Sequence, residues 1–444
     1  MMNDNSGKYP NEAYSFYVVA VFMLLYMLSF VDRVLISLMI EPIKGEFDLS
    51  DTQIGLLVGF SFVLLYSVMG IPFGMMADRF NRRMLILVGV VGWSLATSLS
   101  GLATGFLWLL IARTAVGIGE AALSPAAIST IADRFRPQRL GIAVAIYSCG
   151  VTLGGGLAMA GGGLLISWAN ATSIALPLLG TLEGWRLALF AVGLTGIPFA
   201  ALVLLTVREA PRLGDRASSL TMTDVFKHIL QRRKVFFGLF AGYSACAAAS
   251  YIPLLWAPAF YARDFGLAPS EVGWLIGSMV GVLGLAGVVT GGRLSDRLLR
   301  NGKHDAPVRI VIASIVLQGP AFAAAYLVSD VRLSLAFMAL GIFTMSMFGS
   351  LQATTIQLIA PAEMRGRMMG LYLLIANLVG MGLAPLVIGM LSDALSNHLG
   401  YAMAITSSCA LIIAFFALHV CRRNIGNAIS VNLQNQSSQL HIHS

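Results

Sequence analysis

Residues 74–83 carry the sequence Gly74-Met75-Met76-Ala77-Asp78-Arg79-Phe80-Asn81-Arg82-Arg83, which stands between two long apolar runs. A shorter echo stands between two apolar runs in the second half of the chain: Gly292-Arg293-Leu294-Ser295-Asp296-Arg297. A second echo follows later in each half, where Gly141, Ala145 and Tyr147 are matched by Gly366, Gly370 and Tyr372. Two echoes at matching places predict that the chain consists of two duplicated halves.

The composition around these loops excludes a water-soluble protein. Of the 444 residues, 57% are hydrophobic and 11% are charged, whereas soluble domains have roughly 45–50% and about 25%. A chain of this length with so few charges would have to expose large apolar patches to water. We therefore expect the surplus apolar surface to face lipid.

Apolar windows of about 20 residues, the length that crosses a hydrocarbon core, divide the chain into twelve predicted spans. Spans 1–6 cover 16–40, 53–76, 84–103, 107–131, 140–167 and 185–207, and spans 7–12 cover 235–260, 271–292, 308–328, 333–359, 367–391 and 400–421. The predicted fold class is an all-α membrane protein, with twelve transmembrane helices in two pseudo-symmetric six-helix bundles. Duplicated halves of this kind are typical of secondary transporters, which bind their substrate near the membrane midplane.

The predicted domain organisation follows from these spans. It comprises a cytoplasmic N-terminal segment at 1–15, a six-helix bundle at 16–207, a cytoplasmic linker at 208–234, a second bundle at 235–421 and a tail at 422–444. The tail is rich in Asn, Gln and Ser, so we expect it to be disordered and cytoplasmic.

The lysines and arginines predict the orientation, because cationic loops are held on the cytoplasmic side. Most of the 29 cations, beginning with Lys8, lie at the N-terminus, in every second loop or at the end of span 12. The opposite side has only Lys44, Arg186, Arg263 and Arg332. We therefore expect an integral protein of the cell (inner) membrane with both termini cytoplasmic. Cations placed between apolar runs do not form the basic stripe that nucleic acid requires.

Several motifs identify a family by resemblance. The loop at 74–83 resembles the signature of the major facilitator superfamily, although Asn81 stands where that signature has glycine. Three further stretches, with residues 77–83, resemble the Spinster family of lipid transporters: Ser29-Phe30-Val31-Asp32-Arg33, Phe47-Asp48-Leu49-Ser50-Asp51-Thr52-Gln53-Ile54-Gly55-Leu56-Leu57 and Arg113-Thr114-Ala115-Val116-Gly117-Ile118-Gly119-Glu120-Ala121.

The resemblance implies that the signature loop is a cytoplasmic latch of the outward-open state. Asp78 would pair with Arg82 or Arg134 and face the positive N-terminus of span 11, and Asp296 with span 5 would be a weaker counterpart. The residues assigned to this latch are Gly74, Asp78, Arg79, Arg82, Arg83 and Arg134. The alternative is that these arginines only fix the topology.

Four ionisable residues remain inside the predicted spans: Asp32, Arg33, Arg113 and Glu120. A charge in the bilayer is costly, so such residues usually face a cavity or pair with one another. At 1.5 Å per residue, Asp32 and Arg113 lie at similar depths, and Glu120 lies two turns deeper than Arg113. The resemblance implies that spans 1, 4, 7 and 10 line a central cavity.

We assign two roles to these residues. Arg33 or Arg113 would attract an anionic head group, while Asp32 and Glu120 take up protons. A carboxylate away from water favours its protonated form and a neighbouring arginine opposes this, so that proton and substrate compete. The alternative is that the four residues form structural ion pairs that orient two helices.

The second half contains uncharged candidates for substrate binding, namely Tyr243, Trp256, Thr344 and Gln352. A site that is charged on one side and apolar on the other suits an amphiphile better than a sugar. Span 5 is rich in glycine, which predicts close helix packing or, by partial likeness to an antiporter motif, a role in transport direction.

The leading hypothesis is therefore a proton-coupled transporter of an anionic or zwitterionic amphiphile, such as a lysophospholipid or a sphingoid phosphate. The alternatives are a transporter of small organic anions or drugs on the same fold, and a membrane sensor that binds lipid without moving it. No nucleophile, phosphate-binding or metal-ligand motif occurs. We therefore expect no enzyme activity, no cofactor and no metal. The expected partners are the bilayer, protons and the substrate, with no nucleic acid, and we expect a monomer.

Overall fold

The computed structural model describes residues 10–176, 180–212 and 222–442, and nearly all of them are helical. Helices satisfy every backbone hydrogen bond within one segment, which a lipid environment requires. Lys8 and the rest of the N-terminal segment up to residue 9, linker residues 213–221, and the last two residues of the tail lie outside the described residues.

Twelve stretches of the described residues are long and apolar enough to cross a membrane, which confirms the predicted number. Spans 1–6 are Glu12–Phe47, Asp51–Arg79, Arg82–Ser100, Phe106–Arg134, Gln138–Asn170 and Gly184–Thr206. Spans 7–12 are Arg233–Phe265, Pro269–Arg300, Ala306–Leu327, Val331–Ile359, Arg365–Ala394 and Leu399–Val431. Each overlaps one predicted range.

Several spans are interrupted. Span 1 contains a 3-10 turn, Ile36–Met39, between the helices Glu12–Leu35 and Ile40–Phe47. Span 4 consists of Phe106–Glu120 and Leu123–Arg134. Spans 2, 8 and 11 each contain a π-helical turn, at Leu56–Phe60, Val280–Gly284 and Leu378–Leu383. Such turns are frequent at functional sites because they rotate the following side chains about the helix axis.

The described residues divide into two units, each with its own packing. In the first unit, span 1 packs along span 5, span 2 packs against span 4, and span 3 packs against spans 4 and 6. In the second unit, span 8 packs against span 10, and span 9 packs against spans 10 and 12. Three helix pairings of the first unit therefore recur in the second, as expected for duplicated halves.

The boundary between the units differs from the predicted domains at spans 7 and 8. We placed 235–421 in one bundle, but residues 257–278 pack with the first unit. A Cβ added to Gly163 of span 5 would lie 2.7 Å from the Cα of Ser270, so glycine permits a backbone approach there. Arg263 also forms ion pairs with residues of the first unit, described below.

A short hairpin lies between spans 5 and 6 and is absent from the predicted fold. Strand β1, Ser173–Leu176, pairs antiparallel with strand β2, Gly180–Glu183. Gly180 has a φ of +79°, a conformation that glycine adopts without strain.

The linker contains a helix, Met222–Gln231, which we call the linker helix. The predicted disordered tail is wrong over most of its length, because the helix that begins at Leu399 continues to Ile442. Cys421, Ile425 and Ile429 recur every fourth residue and are buried. That spacing forms one buried apolar helix face, which extends through the C-terminal part of span 12 past the predicted end of the span at residue 421.

Candidate functional site

Four ionisable side chains of spans 1 and 4 come together in the first unit. Asp32 and Arg33 are consecutive and therefore leave span 1 in different directions, whereas Arg113 and Glu120 lie two turns apart on nearly the same face of span 4. Arg33 pairs with Glu120, and Asp32 pairs with Arg113. The four residues are between 0% and 4% exposed, so both ion pairs are shielded from water.

Glu120 is held by span 1 through one of its two carboxylate oxygens. Arg33 Nε donates a hydrogen bond to Oε2 over 2.6 Å, and Ser29 Oγ donates to the same oxygen over 2.6 Å. Arg33 Nη2 also donates to Ser29 Oγ over 3.2 Å, because Ser29 lies one turn before Arg33 on the same face. The first helix of span 4 ends at Glu120, so the carboxylate sits at a break in its own helix.

Aromatic rings enclose the guanidinium of Arg33. Its Cζ lies 5.3 Å from the ring centroid of Phe30, 4.8 Å from that of Phe62 and 4.4 Å from that of Tyr66. Cation–π contacts of this kind contribute roughly 0.5–2 kcal/mol each. The backbone of Phe62 lies against Gly117 of span 4, where a Cβ would collide with its carbonyl group. Glycine at position 117 therefore lets span 2 bring these rings to the ion pair.

Asp32 is bound by spans 3 and 4. Thr97 Oγ1 donates a hydrogen bond to Oδ2 over 2.6 Å, and Arg113 Nη1 donates to Oδ1 over 3.2 Å. Thr97 was not among the predicted site residues, because a threonine in an apolar span gives no signal of its own. It satisfies a carboxylate oxygen that would otherwise lose its bond to water.

Some buried polar atoms of the two pairs have no hydrogen-bond partner among the described residues. They are Nε and Nη2 of Arg113 and Oε1 of Glu120. Most buried polar atoms in proteins are hydrogen-bonded, so exceptions call for water, an ion or a ligand. Each ion pair thus retains capacity for another polar group.

The surroundings of the four residues differ from the central cavity that the resemblance implied. A charge inside a span was expected to face a cavity or to pair, and the four residues pair with one another and are buried. The physical reason is that each acid is matched by an arginine, and the rings around Arg33 replace water on its faces. A change of conformation is needed before either pair meets solvent.

Two of the substrate-binding residues predicted in the second unit belong to one network. Tyr243 OH lies 2.7 Å from Thr355 Oγ1, and its ring centroid lies 6.2 Å from that of Tyr372. The hydroxyl of Tyr372 donates a hydrogen bond to Oε1 of Gln352. Tyr372 was noted in the sequence only as part of the second echo and was not among the predicted site residues. It links Tyr243 to Gln352, which were predicted independently of each other.

The other two predicted residues of this unit are used differently. Thr344 Oγ1 donates to the carbonyl of Leu340 in its own helix over 2.9 Å. Trp256 is fully buried, and its Nε1 has no hydrogen-bond partner among the described residues.

Arg82 of the signature loop pairs with acids other than Asp78, which was its predicted partner. Its Nη1 donates to Asp133 over 2.5 Å, and its Nε donates to Glu209 over 2.9 Å. Its Nη2 donates to the carbonyl of Ala210 over 2.8 Å, and only 1% of Arg82 is exposed. Arg82 therefore joins the start of span 3 to the end of span 4 and to the segment after span 6.

The segment after span 6 makes further contacts with the latch residues. The backbone N–H of Arg83 donates to Glu209 over 3.0 Å, and the Arg134 guanidinium donates to the carbonyl of Arg208. Arg212 donates to the carbonyls of Asp78 and Phe80, which are free at the end of the span 2 helix.

The remaining latch residues make fewer contacts than the resemblance implied. The side chains of Asp78, Arg79 and Asp296 are exposed. Within the described residues, Asp78 forms no ion pair with Arg82 or Arg134. A Cβ on Gly74 would meet nothing within 4 Å. The predicted pairing is absent here because Asp133 and Glu209 already occupy Arg82.

A second ionic cluster lies where residues 257–278 pack with the first unit. Arg263 donates to both carboxylate oxygens of Asp51 over 2.7 Å and to Glu41 over 2.6 Å. Lys44 Nζ donates to Asp51 over 2.6 Å. The distribution of cations predicted that Lys44 and Arg263 lie on the same side of the membrane. It did not predict that both pair with Asp51.

The comparisons with known proteins agree on one family. The sequence profile of the Major Facilitator Superfamily matches residues 22–385 and, in a second alignment, residues 239–436. An MFS-type efflux pump of Mycolicibacterium smegmatis is 32% identical over 409 residues, which cover 92% of this chain and 91% of the pump. Human Protein spinster homolog 1 is 26% identical over 453 residues, which cover 96% of this chain and 83% of that protein.

A solved structure gives the same result. The inward-facing, unoccupied crystal structure of a bacterial homolog of the human lysosomal transporter Spinster matches with a TM-score of 0.82 and 26% identity. The match covers 95% of this chain and 99% of that chain.

Proposed function

The chain belongs to the Major Facilitator Superfamily and, within it, to the Spinster family of transporters, and on that basis we propose that it couples proton movement to transport of an amphiphile. It is an integral membrane transporter and not an enzyme. The proposed cargo is an anionic or zwitterionic amphiphile, such as a lysophospholipid or a sphingoid phosphate, moved by alternating access. We further propose that it works as a monomer in the cell (inner) membrane, with both termini cytoplasmic.

The Arg33–Glu120 ion pair carries the proposal of proton coupling. Both side chains are buried, and Oε1 of Glu120 lacks a hydrogen bond in the described structure. An anionic head group that attracts Arg33 removes the cation which keeps Glu120 ionised, so Glu120 binds a proton. Release of the head group returns Arg33 and expels the proton. The coupling is reciprocal, because each ligand changes the affinity for the other by the same factor.

The Asp32–Arg113 pair supports the same scheme at a second position. Two buried nitrogens of Arg113 have no hydrogen-bond partner among the described residues, and both are donors that an anionic group can accept from. Thr97 remains bonded to Asp32 when Arg113 turns away, so Asp32 keeps one partner while its charge becomes uncompensated. We propose that Asp32 and Glu120 take up protons and that Arg33 and Arg113 bind the head group.

The choice of an amphiphile has weaker support than the proton coupling. Among the candidate residues of the second unit, Tyr243, Trp256 and Thr344 are buried and Gln352 is half-buried. Tyr243 packs against the rings of Phe348 and Tyr372. Such surroundings suit an apolar chain better than a sugar, whose hydroxyls need many hydrogen bonds.

A second candidate is a transporter of small organic anions or drugs. The 32% identical relative is an efflux pump, and a hexuronate transporter of Bacillus subtilis is 22% identical over 435 residues. The paired arginines would bind a small anion by the same chemistry. A sensor that does not transport has no support from a family of transporters.

The deciding experiment measures proton uptake by proteoliposomes with a pH-sensitive dye. The probes are lysophosphatidylglycerol with a short or a long chain, and glucuronate as a small anion. We expect the lysolipids to drive proton movement, more strongly with the longer chain, and Glu120→Gln to abolish it with normal protein yield. Glu183→Gln, which neutralises an exposed acid of the hairpin, is the matched control.

Three results would contradict the proposal. Unchanged proton uptake in Glu120→Gln would remove Glu120 from the coupling, and an effect of glucuronate alone would favour the small-anion alternative. If Glu120→Gln does not fold, the milder Ser29→Ala removes one hydrogen bond from the same carboxylate oxygen. A pH dependence of transport that is identical in Ser29→Ala and wild type would then reject the role of Glu120.

A further inference from the structure

A basic cavity lies in the second unit, and none of the ion-paired residues of spans 1 and 4 lines it. Its volume is about 390 Å³, and it is bounded by the start of span 7 and by the C-terminal part of span 12. At the junction between the linker helix and span 7, three consecutive cations line the cavity: Arg232, Arg233 and Lys234. The opposite wall is neutral and contains the amides of Asn424 and Asn427.

The three cations are available to an external anion. All three residues are exposed, and none forms an ion pair within the described part of the chain. Nearby Arg422, by contrast, pairs with Asp305 over 3.2 Å. The cavity therefore combines uncompensated positive charge with amide donors, which is the chemistry that binds a phosphate group.

An exposed apolar stripe lies on the linker helix, whose last residue, Gln231, lines the cavity. Val225 and Ile229 are buried, whereas Met222, Phe226 and Leu230 are 45%, 49% and 59% exposed. The exposed residues recur every fourth position and form one stripe on the helix. Exposure of this apolar stripe to water is unfavourable, but the boundary between lipid head groups and acyl chains accommodates it.

Span 7 also has an exposed apolar residue close in the chain to the cations of the cavity. Phe237 lies one turn after Arg233, on the same helix face, and is 59% exposed. Arg233 thus stands at the end of an apolar span, where the polar head groups of a bilayer begin. A phospholipid whose phosphate occupied the cavity would have its acyl chains beside Phe237 and the stripe.

We propose that this cavity binds the head group of an anionic phospholipid of the surrounding bilayer. The occupant is a lipid and not a soluble phosphate, because the apolar stripe and Phe237 extend the site in the direction of acyl chains. The site does not depend on the proposed transport function, since its residues belong to neither ion pair.

The test measures lipid binding to the purified full-length chain in neutral detergent, by native mass spectrometry. Phosphatidylglycerol is compared with phosphatidylcholine of the same acyl chains, and inorganic phosphate is the soluble probe in a parallel thermal-stability assay. We expect bound phosphatidylglycerol, little phosphatidylcholine, and stabilisation by phosphatidylglycerol but not by phosphate. Each neutralised cation should weaken binding roughly fivefold, which corresponds to about 1 kcal/mol per charge near an anionic lipid.

The variant Arg232→Gln/Arg233→Gln/Lys234→Gln removes the charge of the cavity. The matched control, Arg297→Gln/Arg300→Gln/Lys303→Gln, removes three exposed cations of the same unit that lie outside it. Ala428→Phe fills the cavity and changes no charge, so it tests the site even if the triple variant does not fold. We expect the triple variant and Ala428→Phe to lose phosphatidylglycerol and the control to retain it.

The opposite results overturn the proposal. Undiminished phosphatidylglycerol binding in Ala428→Phe would place the lipid elsewhere, and equal loss in the control would mean a diffuse charge effect. Equal binding of phosphatidylcholine would exclude recognition of the anionic head group. Stabilisation by inorganic phosphate equal to that by phosphatidylglycerol would make the ligand a soluble anion.

Discussion

Arg113 donates a hydrogen bond from Nη1 to Oδ1 of Asp32 over 3.2 Å, although the whole arginine side chain is buried. Its Nε and Nη2 have no partner among the described residues. A structural ion pair would normally satisfy more of the guanidinium, because a buried donor without a partner costs roughly 1–3 kcal/mol. The incomplete bonding is consistent with an arginine that exchanges partners.

The first prediction concerns the contribution of the Asp32–Arg113 pair to the free energy of unfolding. Arg113→Gln leaves Asp32 with a buried, uncompensated charge and should lower the free energy of unfolding by about 3–5 kcal/mol. Adding Asp32→Asn should restore part of that loss, because the remaining groups are neutral. Unfolding in mixed micelles provides the double-mutant cycle. Additive losses from the two substitutions would mean that the pair does not interact.

The second prediction concerns glycine in span 5. A Cβ on Gly154 would lie 2.6 Å from the carbonyl oxygen of Met27, so Gly154→Ala must push span 5 away from span 1. We expect a loss of about 1–3 kcal/mol, typical of overpacking. Gly155→Ala is the control, since a Cβ there meets nothing within 4 Å. Thermal denaturation of the two variants checks this, and equal midpoints would contradict the close approach.

The third prediction distinguishes two arginines of the signature loop. Arg82→Gln leaves Asp133 and Glu209 without their shared cation and should cost roughly 3–5 kcal/mol, whereas exposed Arg79→Gln should stay within about 0.5 kcal/mol. Denaturation of both variants in the same detergent gives the difference. If Arg79→Gln proved the more damaging of the two, the buried network would not be the main contribution of this loop.

The fourth prediction concerns the cluster around Arg263. The side chain of Asp51 is fully buried and binds Arg263 and Lys44. The side chain of Glu41 is 37% exposed, and within the described ranges Arg263 is its single cationic partner. Asp51→Asn should therefore cost several times more than Glu41→Gln, for which about 1 kcal/mol or less is expected. Hydrogen exchange across residues 257–278 should rise in the first variant only. Equal protection of that segment in Asp51→Asn and wild type would show that the cluster does not hold it.

The relation between sequence and site differs between the two halves. Asp32, Arg33, Arg113 and Glu120 were predictable because a charge in an apolar span is rare and costly. Their partners Thr97 and Ser29 are ordinary small polar residues, and the rings of Phe62 and Tyr66 are ordinary apolar ones. In the second unit, Tyr372 connects Tyr243 to Gln352 through packing, which no spacing in the sequence indicates.

Apolar run length, cation placement and the repeated loop were enough to predict twelve spans in two duplicated sets, because lipid imposes length and charge rules that act locally along the chain. Local rules cannot decide which acid an arginine meets. Arg82 takes Asp133 and Glu209 instead of Asp78, and Arg263 takes Asp51, because helix packing brings residues together that are distant in the chain. The same packing enclosed the Arg33–Glu120 pair, whose burial depends on the rings that spans 1 and 2 place around it.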